Sequence, residues 1–354
     1  MRIGRKIGGA KALAKRLALT HTPRPLTRAY FHIWLRLGLH RREPNLRDWL
    51  RFQRFALLER DGDPARYDKF LRWADPALTL PELSNPRFTG RGWGSWNLRA
   101  YRTGMLDGEP VFEKVYHAKS DSWRKITWAH SEVLPRLETA IQTPTLLRHV
   151  HGEWLVAAYF PLLSDVSPIP VAQLAPAAVA FQKAVSGFRW SGSDPVIRDF
   201  RREESYAGGR RKFGDILTRA GRDPKLLDVV EHWLQRPDMP HRFTHGDLVS
   251  TNILACGTIL DFDRCGYYPA GYEYGRSLGE GHRFGSVDAL QSFVDRRLDL
   301  PCWKAKAAVF YFAAVFYSRP REAIRIVSDD FILSLWDRVI DLIEEPSCAE
   351  GVTR

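Results

Sequence analysis

One stretch limits what this chain can be more than any other: Arg242-Phe-Thr-His245-Gly246-Asp247-Leu-Val-Ser-Thr-Asn252-Ile-Leu-Ala-Cys-Gly-Thr-Ile-Leu-Asp261-Phe262-Asp263. Asn252 to Ala255 and Thr258 to Asp261 are short aliphatic or β-branched runs separated by Cys256-Gly257. A two-residue connection with glycine in second place suits a tight hairpin that needs positive φ. With Ala255 paired to Thr258, the register puts Asn252 directly across from Asp261. Opposed residues on one face have Cβ atoms about 4.5–5.5 Å apart, so an amide oxygen and a carboxylate are held side by side. Such a pair is a hard-oxygen site of the kind Mg²⁺ accepts while keeping waters and a phosphate as its other ligands. Asp247 lies on the loop that enters the hairpin, with its carboxylate in reach of the same space. Turn-capping by single Asp and Asn residues is the plainer account, but it does not explain the whole series.

His245-Gly-Asp247 followed by Asn252, and then Leu260-Asp261-Phe262-Asp263, resembles the catalytic segment of the aminoglycoside phosphotransferase and choline kinase families, which share the protein-kinase-like fold. The tail that follows, with Glu273 and Gly275 after Tyr272, is similar to the choline and ethanolamine kinase version. The resemblance implies an α+β, two-lobed protein-kinase-like fold, with a small antiparallel-sheet N-lobe and a mainly helical C-lobe. By the same resemblance His245 and Asp247 are the catalytic residues, Asp247 being the base. Asn252 and Asp261 carry Mg²⁺, and Asp263 joins the metal set at the place where a protein kinase has Gly. ATP is the expected phosphate donor, with GTP as the alternative.

Upstream, the texture from Asn85 is that of strands. Gly90-Arg-Gly92-Trp-Gly94-Ser95 precedes two strands, the second of which carries Lys114. Glycines mark any tight turn, yet this run stands where a kinase places its phosphate-covering loop. Lys114 shares a strand face with Phe112 and Tyr116, so its ammonium emerges from an apolar floor, where it acts most strongly on α- and β-phosphates. The plainer role is an edge lysine that blocks aggregation. A helix from Trp123 to Ala140 supplies Glu132 as the partner of Lys114, with Glu138 in reserve. Pro135 inside that helix demands a kink, because proline removes a hydrogen bond and clashes with the carbonyl of Ser131. Tyr159, Phe160 and Leu162 read as the hinge whose backbone meets adenine.

These readings divide the chain into a basic, helical N-terminal extension (1–84), a nucleotide-binding N-lobe sheet (85–161), a catalytic and substrate-binding C-lobe (162–346) and a tail (347–354). Net charge is +12, but no acid precedes Glu43 while eleven Lys or Arg do. The excess belongs to an arm, which argues against a nucleic-acid-binding body. Residues 1–42 fit a peripheral contact with an anionic membrane, an organelle transit peptide, or an arm that packs Trp34 and Leu37 on the body. No apolar run approaches the ~18 residues a spanning helix needs. Four Cys without Cys-x-x-Cys spacing indicate a reducing compartment, so the expected location is cytoplasmic, at the inner membrane face if the arm binds lipid. The run Lys304–Ser318 reads as a buried helix. Trp303, Tyr311, Tyr317 and Trp336 are candidates for a cation–π box, with core packing the plainer role. Arg201, Arg202, Arg210, Arg211 and Lys212 read as a solvated surface. The expected activity is phosphoryl transfer to a hydroxyl of a small molecule, a sugar or a lipid-linked saccharide. The rivals are a protein kinase, disfavoured by the lack of a clear Asp-Phe-Gly and Ala-Pro-Glu pair, and a catalytically silent scaffold at a membrane.

Overall fold

A computed structural model describes residues 24–38, 46–62, 64–89, 97–137, 140–281, 284, 286–319 and 327–344. The chain divides into two compact units, Met1–Trp123 with Leu146–Leu162, and Arg124–Thr145 with Leu163–Arg354.

In the first unit, β1 (Ser84–Thr89), β2 (Asn97–Leu106), β3 (Glu109–His117), β4 (Arg148–His151) and β5 (Leu155–Pro161) form one antiparallel sheet in the order β1-β2-β3-β5-β4. Asp107-Gly108, both at positive φ, make the two-residue turn that pairs Leu106 with Glu109. An apolar sheet face must be covered, and here the N-terminal helices cover it. From α1 (Arg24–Arg36), α2 (Leu46–Gly62) and α3 (Pro64–Ala74) come Trp34, Phe52, Phe55, Tyr67 and Phe70. They share one core with Leu106, Val111, Val115 and Tyr159. The segment expected as a separate extension is therefore part of the sheet's own core. Trp34 is buried as the packed-arm reading has it, whereas Leu37 is 67% exposed. The rest of the basic arm, residues 1–23 and 39–42, lies outside the described residues.

Two buried polar devices join helix to sheet. Arg102 on β2 grips Glu113 of β3 with two hydrogen bonds (3.0 and 2.6 Å), reaches Asp68 of α3 at 2.6 Å, and Tyr159 donates to the same Glu113 at 2.7 Å. Burial alone would lower the Arg102 pKa, but Glu113 and Asp68 reverse the effect and drive it up. At the end of α3, the Asp75 carboxylate accepts the backbone N–H groups of Glu153, Trp154 and Leu155 at 2.7–3.0 Å. That fixes the turn between β4 and β5.

The second unit is mainly helical. From Arg124 it takes the end of α4 (Asp121–Trp128), which passes into a π turn (Ala129–Val133) and a 3₁₀ turn (Leu134–Arg136). The helix expected through Ala140 thus stops early, because Pro135 cannot continue the α ladder. There follow α5 (Leu174–Ala184), α6 (Glu204–Arg219), α7 (Leu226–Leu234), α8 (Tyr272–Gly281), α9 (Val287–Arg297), α10 (Trp303–Tyr317) and α11 (Asp329–Glu344). A small ribbon pairs β6 (His241–Thr244) with β7 (Gly266–Pro269). The expected apolar helix is α10, buried from Ala307 to Tyr317 and packed by α6, α8 and α11. Among the described residues no helix is long and apolar enough to cross a membrane.

The aromatic residues of this region are core. Tyr311 shares a hydrogen bond with Tyr206 at 2.7 Å and donates to Glu231, while Trp336 packs on Phe213 and Tyr317 on Phe331. Trp303 sits apart, against Trp233. Arg201 pairs with Asp199, and Arg210 with Asp228 and Glu231.

Candidate active site

The loop that leaves β6 is held by its own polar groups. His245 is fully buried; its Nδ1 accepts the Asp247 amide (3.2 Å), which leaves Nε2–H to donate to the Leu260 carbonyl (2.7 Å). Its ring packs on Phe262. Both nitrogens of His245, expected as catalytic, bind backbone, and the ring ties the loop to the segment that leads into Asp261. Gly246 has φ +77°, and a Cβ there would meet the Arg264 carbonyl oxygen at 2.0 Å. No other residue fits. The Gly246 amide donates to Glu273 at 3.1 Å, and burial pushes the Glu273 carboxyl upward although His245, the backbone and Arg276 pull the other way.

The hairpin differs from the expected register by one residue. Ile253 bridges Ile259, and the Leu260 amide donates to the Asn252 carbonyl at 2.8 Å, so Asn252 faces Leu260 rather than Asp261. The cause is a three-residue connection, Ala255-Cys256-Gly257, closed by Leu254 N–H to Thr258 and carrying Gly257 at φ +89°. Asp261 itself adopts the left-handed conformation (φ 65°, ψ 61°) at the start of the turn Phe262–Arg264. Such a conformation is strained for a non-glycine residue and is tolerated best by Asp and Asn. The Asn252 amide nitrogen donates to the Asp247 carbonyl at 2.9 Å, which leaves Oδ1 as the atom able to ligate. Asp261 is exposed and Asp263 is 5% exposed. The donor set is one amide oxygen and carboxylates, and it fits a hard divalent cation. Among the described residues no group of three or more His, Cys, Asp or Glu gathers as a metal-holding cluster.

Asp247 is the charged centre. Arg276 Nη2 lies 2.5 Å from its Oδ1, and Arg264 Nε lies 3.8 Å from its Oδ2. Burial would raise this carboxyl, but the two guanidinium charges and the Arg276 hydrogen bond hold it well below the usual carboxylate range. Neither arginine is evident from the motif alone. The signal that finds Arg276 is helical spacing: Glu273 and Arg276 stand at i and i+3 on α8 and so share a face. One holds the amide of Gly246 and the other the carboxylate of Asp247. A second group missed by the sequence is the buried Lys125, which pairs with Glu203 and hydrogen-bonds Tyr268 at 2.7 Å.

Of the remaining candidates, Lys114, Tyr159, Phe160 and Leu162 belong to the first unit and Glu132 to the second. Lys114 is 6% exposed on β3, its ammonium 5.3 Å from the Tyr116 ring centroid. Tyr159 and Phe160 are paired in β5 with Glu113 and Phe112, and Tyr159 faces the Arg102 network. Leu162, at the end of that unit, is exposed. Glu132 lies in the π turn and accepts Trp190 Nε1–H at 3.3 Å. Gly90, Gly92, Gly94, Ser95 and Glu138 lie outside the described residues.

A five-stranded antiparallel sheet bearing a buried lysine makes up the first unit, and a helical body with this His-Gly-Asp loop the second, an α+β architecture whose class is phosphotransferase. The model of the phosphotransferase enzyme family (APH) matches residues 129–309, and the chain belongs to that family. No curated protein matches the chain. Among solved structures it is similar to the aminoglycoside phosphotransferase APH(2")-IIia with GDP and kanamycin, at 15% identity over 80% of this chain and 98% of that one, TM-score 0.40. It is also similar to a structure described as a fructosamine-3-kinase from Haemophilus somnus 129PT (12% identity, 73% and 92% covered, TM-score 0.44). The choline kinase LicA from Streptococcus pneumoniae matches at 10% identity over 78% and 98%, TM-score 0.39.

Proposed function

We propose that this phosphotransferase moves the γ-phosphate of ATP, or of GTP, to a hydroxyl of a small molecule, a sugar or a saccharide carried on lipid. The reading rests on one observation above all. Between Arg276 and Arg264 the Asp247 side chain is held ionised while 20% of it stays open to solvent. It accepts the acceptor hydroxyl's hydrogen bond, aims the oxygen at phosphorus and receives its proton as the bond forms. A carboxylate so stabilised by arginines is a weak base, and its larger contribution is orientation.

Asn252, Asp261 and Asp263 would hold a Mg²⁺ ion, which when bound neutralises charge on the β- and γ-phosphates. Asn252 contributes through a fixed amide, since its nitrogen is already bound to the loop it must serve. Lys114 binds the α- and β-phosphates as a cation on an apolar strand face.

The experiment is ADP production by the purified chain with Mg²⁺ and ATP or GTP, against panels of amino alcohols, sugars and aminoglycosides. Asp247→Asn and Asp261→Asn are expected to lose turnover by at least a hundredfold while remaining folded. Full turnover in both would end the assignment.

A further inference from the structure

The outermost strand of the first unit's sheet carries a pair of exposed histidines. β4 ends the order β1-β2-β3-β5-β4, and His149 and His151 stand at i and i+2 on it. Alternate residues of a strand share a face. The register says which face this is. His149 pairs with Ala158, which pairs on its other side with Lys114, and His151 pairs with Val156, which pairs with Tyr116. Both imidazoles therefore stand on the face that bears Lys114, two strands away from it. Trp123 of α4 agrees with that side: its ring centroid lies 5.7 Å from that of Tyr116 and 5.5 Å from each histidine.

The two side chains lean together. Residues two apart on a strand are separated by about 6.7 Å along the backbone, yet the ring centroids are 5.1 Å apart, with the planes at 86°. Two imidazoles bound through nitrogen at about 2.0–2.1 Å to one tetrahedral ion have centroids about 5 Å apart. The pair thus already holds the spacing of a chelate. Among the described residues neither imidazole carries a hydrogen bond or an ion pair; their contacts are ring contacts, with Trp123 and with each other. Trp123, itself 5% exposed, lies against both rings, so less rotamer freedom remains to be lost on binding.

We propose that His149 and His151 chelate one divalent transition-metal ion, of the class of Zn²⁺, Ni²⁺ and Cu²⁺, on the outer strand of the sheet. Imidazole nitrogen suits these ions, whereas Mg²⁺ takes oxygen. The site differs in chemistry from the oxygen donors Asn252, Asp261 and Asp263 and does not depend on their role. Two protein ligands leave at least two coordination positions for water or for a donor from another molecule.

The test titrates the full chain, in excess Mg²⁺, with Zn²⁺, Ni²⁺ and Cu²⁺ by calorimetry. The wild type is compared with His149→Phe, His151→Phe and Cys256→Ser. Phenylalanine keeps a ring against Trp123 but removes the nitrogen donor, and the serine variant removes an exposed thiol that would compete for the same ions. The tightest site is expected to take one ion per chain, to bind Cu²⁺ more tightly than Ni²⁺ or Zn²⁺, and to weaken at least tenfold in each histidine variant but not in Cys256→Ser. The electron paramagnetic resonance spectrum of Cu²⁺ bound to the wild type is expected to show two imidazole nitrogens, a reading that holds even where a variant does not fold. Binding that survives either histidine substitution, binding that is lost with Cys256, or a Cu²⁺ spectrum with one nitrogen or none overturns the proposal.

Discussion

Arg276 and Asp247 form an ion pair at 2.5 Å in which the arginine side chain is 3% exposed and the aspartate 20%. The cation is the buried member and the anion the one that reaches solvent. Arg276 therefore acts as a fixed support, resting on Phe316 and presenting a charge to a carboxylate whose other side stays open.

Removing that support leaves a partly buried carboxylate with only the more distant Arg264. Arg276→Met is expected to lower stability by on the order of 2 kcal/mol, the scale of a charged group stripped of its hydrogen bond. Asp247→Asn alone leaves Arg276 buried without its anion and is expected to cost less, because a neutral amide oxygen still accepts. The double variant should recover part of the loss, and a denaturant-melt cycle over the four proteins measures the coupling. Strict additivity would show that the pair contributes nothing.

Gly246 is fixed by two independent requirements, a positive φ and an approach that would put a Cβ 2.0 Å from the Arg264 carbonyl oxygen. Gly246→Ala must push that turn away, and with it Arg264 and the amide that Glu273 holds. Turnover is expected to fall at least tenfold while Glu273→Gln, which keeps an acceptor for the amide, retains most of it. Unchanged kinetics in Gly246→Ala would show that the loop relaxes freely.

Much of this site was legible in the sequence, and the illegible part has a common cause. Asp247, Asn252 and Asp261 announce themselves because a short-range pattern carries them. The register did not, because Cys256-Gly257 reads as a two-residue turn whereas the chain uses three, and one residue of slip moves Asn252 from Asp261 to Leu260. Arg276 escaped for the opposite reason: its partner is 29 residues away and only the folded α8 brings it round. The same holds for the N-terminal helices. Their apolar spacing was clear, but nothing local says that Phe55 and Tyr67 belong to the core of a sheet that begins at Ser84.

Asp75 offers a stability test inside the first unit. It is fully buried and accepts three consecutive backbone N–H groups, from Glu153, Trp154 and Leu155. Asp75→Ala orphans all three and is expected to destabilise by about 3 kcal/mol, which lowers the melting temperature by about 10 °C. Asp75→Asn keeps one acceptor oxygen and should fall between. A hydrogen-exchange measurement resolves the effect locally, since the amides of residues 153–155 are expected to lose protection first. Protection that survives the substitution would mean that β4 and β5 hold their own turn.

Histidine burial sets the acid side of stability. Burial lowers the His130 pKa from 6.5 to about 4, and His241 is lowered in the same direction, again mainly by burial. A histidine whose folded pKa is depressed stays neutral in the folded chain while the unfolded chain, titrating near 6.5, takes up a proton. Between pH 6.5 and about 4 the unfolded state therefore binds more protons, so stability must fall as pH falls through that window. Above 6.5 neither state binds the proton and the contribution is flat. His130→Gln cannot gain that charge, so its urea midpoint should decline less steeply than that of the wild type from pH 6.5 to 4.5. Parallel declines in the two proteins would place the acid sensitivity elsewhere, with His241→Gln as the next variant to measure.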